Sequence, residues 1–81
     1  MAVDAARPLV VKIVAKELNL DPAEVGADIS MENNELWDSV AHTEIVFALE
    51  KQFSIEFTQE ETEEMYSLNE ILAVLAKRGV A

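Results

Sequence analysis

The most informative segment of the chain spans residues 38 to 53 and reads DSVAHTEIVFALEKQF. Asp and Ser are common N-cap residues, and apolar residues recur after them at steps of three and four. Both features predict an α-helix that begins at Asp38 or Ser39 and ends near Phe53. Because this helix lies in the middle of the chain, we expect the elements on both sides to pack against it.

This predicted helix carries two apolar stripes. The stripe expected to face the core consists of His42, Ile45, Val46, Leu49 and Phe53. The second stripe consists of Val40, Thr43, Glu44 and Phe47. It lies roughly 100–160° away around the helix axis, so it cannot point into the same core. We therefore expect an exposed apolar centre, Val40 and Phe47, with an acidic rim of Asp38, Glu44 and Glu50, which is typical of a protein-docking face. The alternative is that Phe47 packs under the preceding loop.

A first helix is predicted before this one, from about Asp4 to Leu18. Its apolar face holds, at helical spacing, Val10, Ile13, Val14 and Leu18. The sequence DPAE at residues 21–24 then predicts one short helical turn, because Asp caps it, Pro suits its first position and Glu reaches back to the cap. Residues 25–37 show no period, so we expect a long loop, and long loops in small domains are often functional.

Two further helices are predicted after the central helix and a short connection at residues 54–57. The sequence TQEE at residues 58–61 is a capping box that opens a short acidic helix to about Met65. The sequence SLNE at residues 67–70 is a second capping box that opens a final helix, which Gly79 ends. The apolar face of that last helix consists of Leu68, Ile71, Leu72 and Leu75.

Together these segments predict an all-α fold. It is a small bundle of three main helices plus one short helix, with a long loop between the first and second main helices. Two Gly and two Pro are few interruptions, which favours helices over a many-stranded sheet. A length of 81 residues with 51% hydrophobic residues suffices for one packed core. We therefore expect a single domain over residues 1–81.

The charge balance excludes several classes of function. The chain has six Lys and Arg and 16 Asp and Glu, which gives a net charge of −10. So acidic a surface repels nucleic-acid phosphates and anionic lipids, and we expect no nucleic acid and no membrane among the partners. It favours a basic partner, fast association and a monomeric state. No apolar run is long enough to span a bilayer, the first residues lack the pattern of a signal peptide, and the absence of Cys fits the cytoplasm.

No constellation for catalysis is visible, so we predict that the chain is not an enzyme. Its one histidine, His42, is expected to be a packed or capping residue. Four carboxylates could attract a divalent cation, namely Glu32, Glu35, Asp38 and Glu44. They do not follow the spacing of an EF-hand loop, so we predict no metal site. Ser39 stands at a helix start, where free N–H groups favour an attached phosphate, although Ser and Asp are equally ordinary N-caps there.

Residues 37–56 closely resemble the signature of the acyl carrier proteins and of their peptidyl and D-alanyl relatives. The central motif is present as Asp38-Ser39-Val40, and the downstream pattern is present as Ala48-Leu49-Glu50 through Phe53, Ile55 and Glu56. The resemblance covers nearly the whole chain. Residues 13–25 look like the family's first helix and following turn, and residues 67–75 look like its last helix.

The resemblance implies a function that composition does not show. In this family the motif serine, here Ser39, carries 4′-phosphopantetheine, which a phosphopantetheinyl transferase transfers from coenzyme A. The terminal thiol then holds an acyl, aminoacyl or polyketide chain as a thioester. Asp38 would be the motif acid, and the positions that contact partners in the family match Val40, Glu44, Phe47 and Glu50. The implied partners are the transferase and acyl-loading and acyl-processing enzymes with basic docking patches.

The sequence also departs from the family pattern. Fatty-acid-type carriers usually have Gly two residues before the motif Asp, whereas Leu36 and Trp37 precede Asp38 here. The Trp-Asp-Ser form resembles discrete carriers of specialised metabolism or D-alanyl carriers, and we favour an acyl or polyketide cargo over an aminoacyl cargo. Trp37 is expected to anchor the end of the loop. Two alternatives remain open: an unmodified acidic helical module that only docks, and a small cation-binding protein.

Overall fold

Four α-helices make up most of the described part of the chain, residues 3–79, in the computed structural model. They are α1 (Val3–Leu18), α2 (Ser39–Phe53), α3 (Gln59–Glu64) and α4 (Leu68–Lys77), with a single 3-10 turn at Pro22–Glu24. Side chains are described from Ala6 onward. The predicted all-α bundle with one short helix is confirmed. The predicted domain also includes residues 1, 2, 80 and 81, which lie outside the described residues.

Helix α1 buries one stripe at intervals of four residues. The stripe consists of Ala6, Val10, Val14 and Leu18. The helix ends as predicted, because Asn19 takes a left-handed conformation (φ 60°) and the Leu20 N–H donates to the Ala15 carbonyl at 2.8 Å. The prediction that Ile13 belongs to the core face needs a correction. Ile13 is half-buried at the margin of the core, since it lies one position beside the stripe.

The core lies where α1, α2 and α4 meet. Helix α2 buries Ile45, Val46 and Leu49 as predicted, whereas His42 and Phe53 are half-buried at the ends of that stripe. Helix α4 is the most deeply embedded element. Its buried residues are Leu68, Ile71, Leu72, Val74 and Leu75. Full burial of such side chains contributes roughly 1.5–3 kcal/mol each, so these three helices supply most of the stabilisation.

The long loop before α2 is pinned at its middle to the junction of α3 and α4. The Met31 N–H donates to the Tyr66 carbonyl at 2.9 Å, and the Leu68 N–H donates to the Ile29 carbonyl at 3.0 Å. The side chain of Ile29 is buried in the core. These contacts give the loop a defined path, which brings its last residues to the start of α2.

Helix α3 buries none of its own six residues. It is held by its ends. The predicted capping box is present, with the Glu61 N–H donating to Thr58 Oγ1 at 3.1 Å and the Thr58 N–H donating to Glu61 Oε1 at 2.9 Å. The Arg78 guanidinium, at the end of α4, pairs with Glu61 at 3.0 Å and donates to the Glu56 carbonyl. Arg78 thus fastens α3 and the connection before it to α4.

Within residues 3–79, no helix combines the length and the apolar character needed to cross a membrane.

Candidate functional site

The first turn of α2 exposes Ser39. Asp38 is the N-cap, in an extended conformation, and its Oδ1 accepts a hydrogen bond from the Ala41 N–H at 2.9 Å. Ser39 is the first helical residue, and its side chain is exposed. Within the described residues its hydroxyl forms no hydrogen bond. The cap is therefore supplied by Asp38, which leaves the hydroxyl of Ser39 available for chemistry.

Trp37 anchors the end of the loop, as predicted, through a contact with His42. The indole is 1% exposed, and its Nε1–H donates to His42 Nδ1 at 3.1 Å. The opposite ring nitrogen, Nε2, lies 2.8 Å from the carbonyl oxygen of Thr62 on α3. His42 thus has the packing role expected of it. The chain Trp37–His42–Thr62 fixes the residue before Asp38 to both α2 and α3.

The sequence did not predict that Thr62 contacts this site. Its contribution is a backbone carbonyl, so its side-chain identity carries no signal. Spacing could have suggested the link to Trp37, because His42 follows it by five residues and lies one turn into α2.

The second stripe of α2 faces outward. Val40 is 70% exposed and Phe47 is 62% exposed, and Thr43 and Glu44 between them are exposed as well. The alternative in which Phe47 packs under the loop is wrong. An apolar pair of this size on a surface helix is the type of feature that partner proteins cover. We call Val40, Thr43, Glu44 and Phe47 the α2 face.

Glu50 differs from the other acids of the expected rim. Its side chain is half-buried, and its Oε2 accepts a hydrogen bond from the Phe57 N–H at 2.9 Å. It therefore holds the connection between α2 and α3 in place. Asp38 is likewise occupied as the N-cap, so Glu44 is the rim carboxylate whose described contacts leave it most available to a partner.

A small cavity adjoins the α2 face on the side of α3. Its volume is about 240 Å³. It is lined by Thr43, Val46, Phe47, Glu50, Phe57, Gln59 and Thr62. Its lining as a whole is more apolar than polar, so the α2 face continues into a partly apolar cleft between α2 and α3.

The acidic side chains do not converge. Among the described side chains, residues 6–79, no three His, Cys, Asp or Glu come close enough to hold a metal ion. The carboxylates of Glu32, Glu35, Asp38 and Glu44 thus form no group of three or more, and the cation-binding alternative gains no support from the structure.

Comparisons with known proteins identify the family. A family model described as a phosphopantetheine attachment site matches residues 8–75. The acyl carrier protein of Bdellovibrio bacteriovorus is 31% identical over 77 residues, covering 95% of this chain and 99% of the relative. The chain belongs to the acyl carrier protein family. The acyl carrier protein of Thermosynechococcus vestitus is 33% identical over 69 residues, covering 85% of each chain. That of Solidesulfovibrio magneticus is 26% identical over 67 residues.

Membership in the acyl carrier protein family settles two predictions. Its members are carriers and not enzymes, and their cofactor is 4′-phosphopantetheine, bound covalently. The structure fits such a group at the start of α2. The exposed hydroxyl of Ser39 stands where N–H groups of the first turn lack intrahelical acceptors and the helix dipole is positive, which suits a phosphodiester.

Proposed function

We propose that Ser39 is the attachment point and that the chain carries an acyl group on the arm it holds. When attached, phosphopantetheine supplies a terminal thiol that holds the acyl chain as a thioester. The chain's own residues present the arm: Asp38 caps the helix, Trp37 anchors the end of the loop, and the exposed hydroxyl of Ser39 forms a hydrogen bond with neither of them. The observation that carries this proposal is the exposed, unbonded Ser39 hydroxyl within the region that the family model matches.

The proposed partners dock on the α2 face. They are a phosphopantetheinyl transferase and enzymes that load or process the acyl chain through basic patches. Phe47 and Val40 supply the apolar centre, and Glu44 supplies an available carboxylate beside them. The net charge of −10 steers such partners during the encounter. Glu50 contributes to this surface indirectly, because its carboxylate accepts the Phe57 N–H and so holds the connection between α2 and α3 in place.

The proposed cargo is an acyl or polyketide chain rather than an aminoacyl group. The support is that the similar relatives are named acyl carrier proteins. The Trp-Asp-Ser motif resembles discrete carriers of specialised metabolism or D-alanyl carriers and departs from the form usual in fatty-acid-type carriers. We propose further that residues 1–81 form one carrier domain, that it acts as a monomer because of self-repulsion, and that it works in the cytoplasm.

The deciding experiment is intact-mass analysis after incubation with coenzyme A, Mg²⁺ and a broad-specificity phosphopantetheinyl transferase. We expect one phosphopantetheine addition on the wild type and none on Ser39→Ala. The matched control is Ser54→Ala, which removes another exposed serine hydroxyl outside the site and should be modified like the wild type. Circular dichroism checks that each variant stays helical.

Two results would contradict the proposal. Modification of Ser39→Ala would place the arm elsewhere. A folded wild type that takes no arm from broad or cognate transferases, while a control carrier does, would instead make the chain an unmodified docking module.

A further inference from the structure

The outer side of α1 forms a shallow groove with the end of α2. Its volume is about 340 Å³. It is lined by Leu9, Lys12, Ile13, Lys16 and Gln52, and we call it the basic groove. The four α1 residues follow each other at helical spacing, so they share one side of α1. Leu9 and Ile13 are half-buried and Lys12 and Lys16 are exposed, which places two cations beside an apolar strip.

The charge of the basic groove is opposite to that of the molecule. The chain has 16 Asp and Glu against six Lys and Arg, yet no carboxylate lines this groove. The neighbouring cavity between α1 and α2, which shares Lys16, is lined by four carboxylates: Glu17, Glu44, Glu50 and Glu56. Among the described side chains, residues 6–79, the ion pair formed is Arg78–Glu61. Neither Lys12 nor Lys16 forms an ion pair with a described carboxylate, and Lys16 borders both the basic groove and the carboxylate-lined cavity.

We infer that the basic groove docks an acidic segment of a partner protein that carries one or two apolar side chains. The two ammonium groups would meet carboxylates, and the strip of Leu9 and Ile13 would cover the apolar side chains. An anionic membrane and a second copy of the chain are weaker occupants, because each brings an extended negative surface against the net charge of −10, whereas a short acidic segment meets mainly the two lysines that lie within a screening length of it.

This surface is separate from the attachment site. Gln52 follows Ser39 by thirteen residues on α2, which at a rise of 1.5 Å per residue is roughly 20 Å. An occupant of the basic groove therefore leaves the start of α2 accessible. The inference does not depend on modification of Ser39, and the unmodified chain suffices to test it.

The test uses a synthetic amphipathic helical peptide built from Glu and Ala, with two Leu on one face. A matched peptide carries Lys in place of every Glu. Each peptide is titrated into the ¹⁵N-labelled unmodified chain at an ionic strength of about 0.1 M, at which charges farther than about 10 Å away are largely screened, and amide shifts are followed by NMR. We expect the acidic peptide to shift residues 9–16 and Gln52 in a saturable way and the basic peptide to leave them unchanged.

Variants with a reversed charge in the basic groove test whether its lysines bind the peptide. Lys12→Glu should weaken binding of the acidic peptide by roughly three- to tenfold, because it replaces an attraction between exposed charges by a repulsion. The matched control Lys77→Glu makes the same charge change at an exposed position of α4 and should alter the affinity less than twofold. Lys12→Gln should fall between the wild type and Lys12→Glu. Ser39 modification should proceed equally in all of them.

Several results would overturn the inference. They are the absence of saturable shifts with the acidic peptide, shifts centred on another face, or equal weakening by Lys12→Glu and Lys77→Glu. Binding of phosphatidylglycerol vesicles that Lys12→Glu abolishes would assign the groove to lipid instead. Concentration-dependent dimers in sedimentation that Lys12→Glu abolishes would assign it to a second copy.

Discussion

At the start of α2, one indole N–H determines which nitrogen of a histidine carries the proton. Trp37 Nε1 can only donate, so His42 Nδ1 must accept. Neutral His42 then carries its proton on Nε2, which donates to the Thr62 carbonyl at 2.8 Å. Two hydrogen bonds and one ring thus join the residue before Asp38 to α3. The position of the proposed attachment site is tied to this contact, since Trp37 is only two residues from Ser39.

We predict that Trp37→Phe lowers the free energy of unfolding by about 1–2 kcal/mol, because it leaves His42 Nδ1 without a donor and shrinks a buried side chain. Urea unfolding measures the loss. In a His42→Leu background the hydrogen bond is already absent, so the same substitution should cost about 1 kcal/mol less. Equal losses in the two backgrounds would show that Trp37 acts by packing alone. Long-range ¹⁵N–¹H NMR of the wild type should report the tautomer protonated at Nε2.

At the scale of elements, the stability of α3 depends on the carboxylate of Glu61, which closes the capping box and pairs with Arg78. The backbone N–H of Thr58 donates a hydrogen bond to Glu61. This bond is the largest of the effects that hold the pKa of Glu61 below its usual range. Partial desolvation opposes the effect, and the charge of Arg78 adds to it. The folded state therefore binds a proton at Glu61 less readily than the unfolded state does. Its contribution to stability is present above the ordinary glutamate pKa and is lost as pH falls through the lowered folded value.

We accordingly predict that Glu61→Gln lowers the melting temperature at pH 7 and that this difference shrinks as pH falls below the ordinary glutamate range. The matched control is Glu60→Gln, which neutralises an exposed neighbour outside the capping box. Thermal unfolding from pH 7 to pH 3 provides the measurement. A difference between wild type and Glu61→Gln that stays constant with pH would show that the carboxylate's charge does not stabilise α3.

The α2 face supports a second prediction at this scale. Phe47→Glu should lower kcat/KM of arm transfer by roughly tenfold or more, as expected when the aromatic centre of a docking surface is lost. Stability should change by less than about 0.5 kcal/mol, because Phe47 is exposed. Ala73→Glu adds the same charge at an exposed position of α4 and should leave transfer unchanged. A large loss of helicity in Phe47→Glu would mean that the ring stabilises the fold instead.

At the scale of the whole molecule, uncompensated negative charge dominates. The chain carries a net charge of −10, and among the described side chains, residues 6–79, the ion pair formed is Arg78–Glu61. Carboxylates on neighbouring elements therefore repel one another across the surface. Such repulsion destabilises the folded state and is screened within a distance that shrinks to about 3 Å at 1 M salt.

We predict that raising NaCl from 20 mM to 500 mM increases the melting temperature by roughly 5 °C, which corresponds to about 1 kcal/mol in a domain of this size. Millimolar Mg²⁺ should act in the same direction at lower concentration. Differential scanning calorimetry checks both. An unchanged melting temperature would show that the carboxylates are already well separated. A saturating, stoichiometric response to Ca²⁺ would instead revive the cation-binding alternative.

The elements of this protein were predictable because their signals are local. The helix periods, the cap at Asp38 and the capping box of Thr58 and Glu61 each involve residues three or four positions apart, and the structure contains all of them. The outward direction of Val40 and Phe47 followed from the same periodicity. The family motif lies within one such segment, so the candidate site could be placed at Ser39 from sequence.

Only the tertiary structure decided the contacts between distant residues. Ile29 with Leu68, His42 with Thr62 and Arg78 with Glu61 are separated by 17 residues or more, and no period relates them. Ile13 was expected in the core and lies at its margin, and Glu50 was expected on the rim and holds Phe57. A sequence pattern determines which face a side chain occupies. Which neighbour covers that face depends on the path of the whole chain.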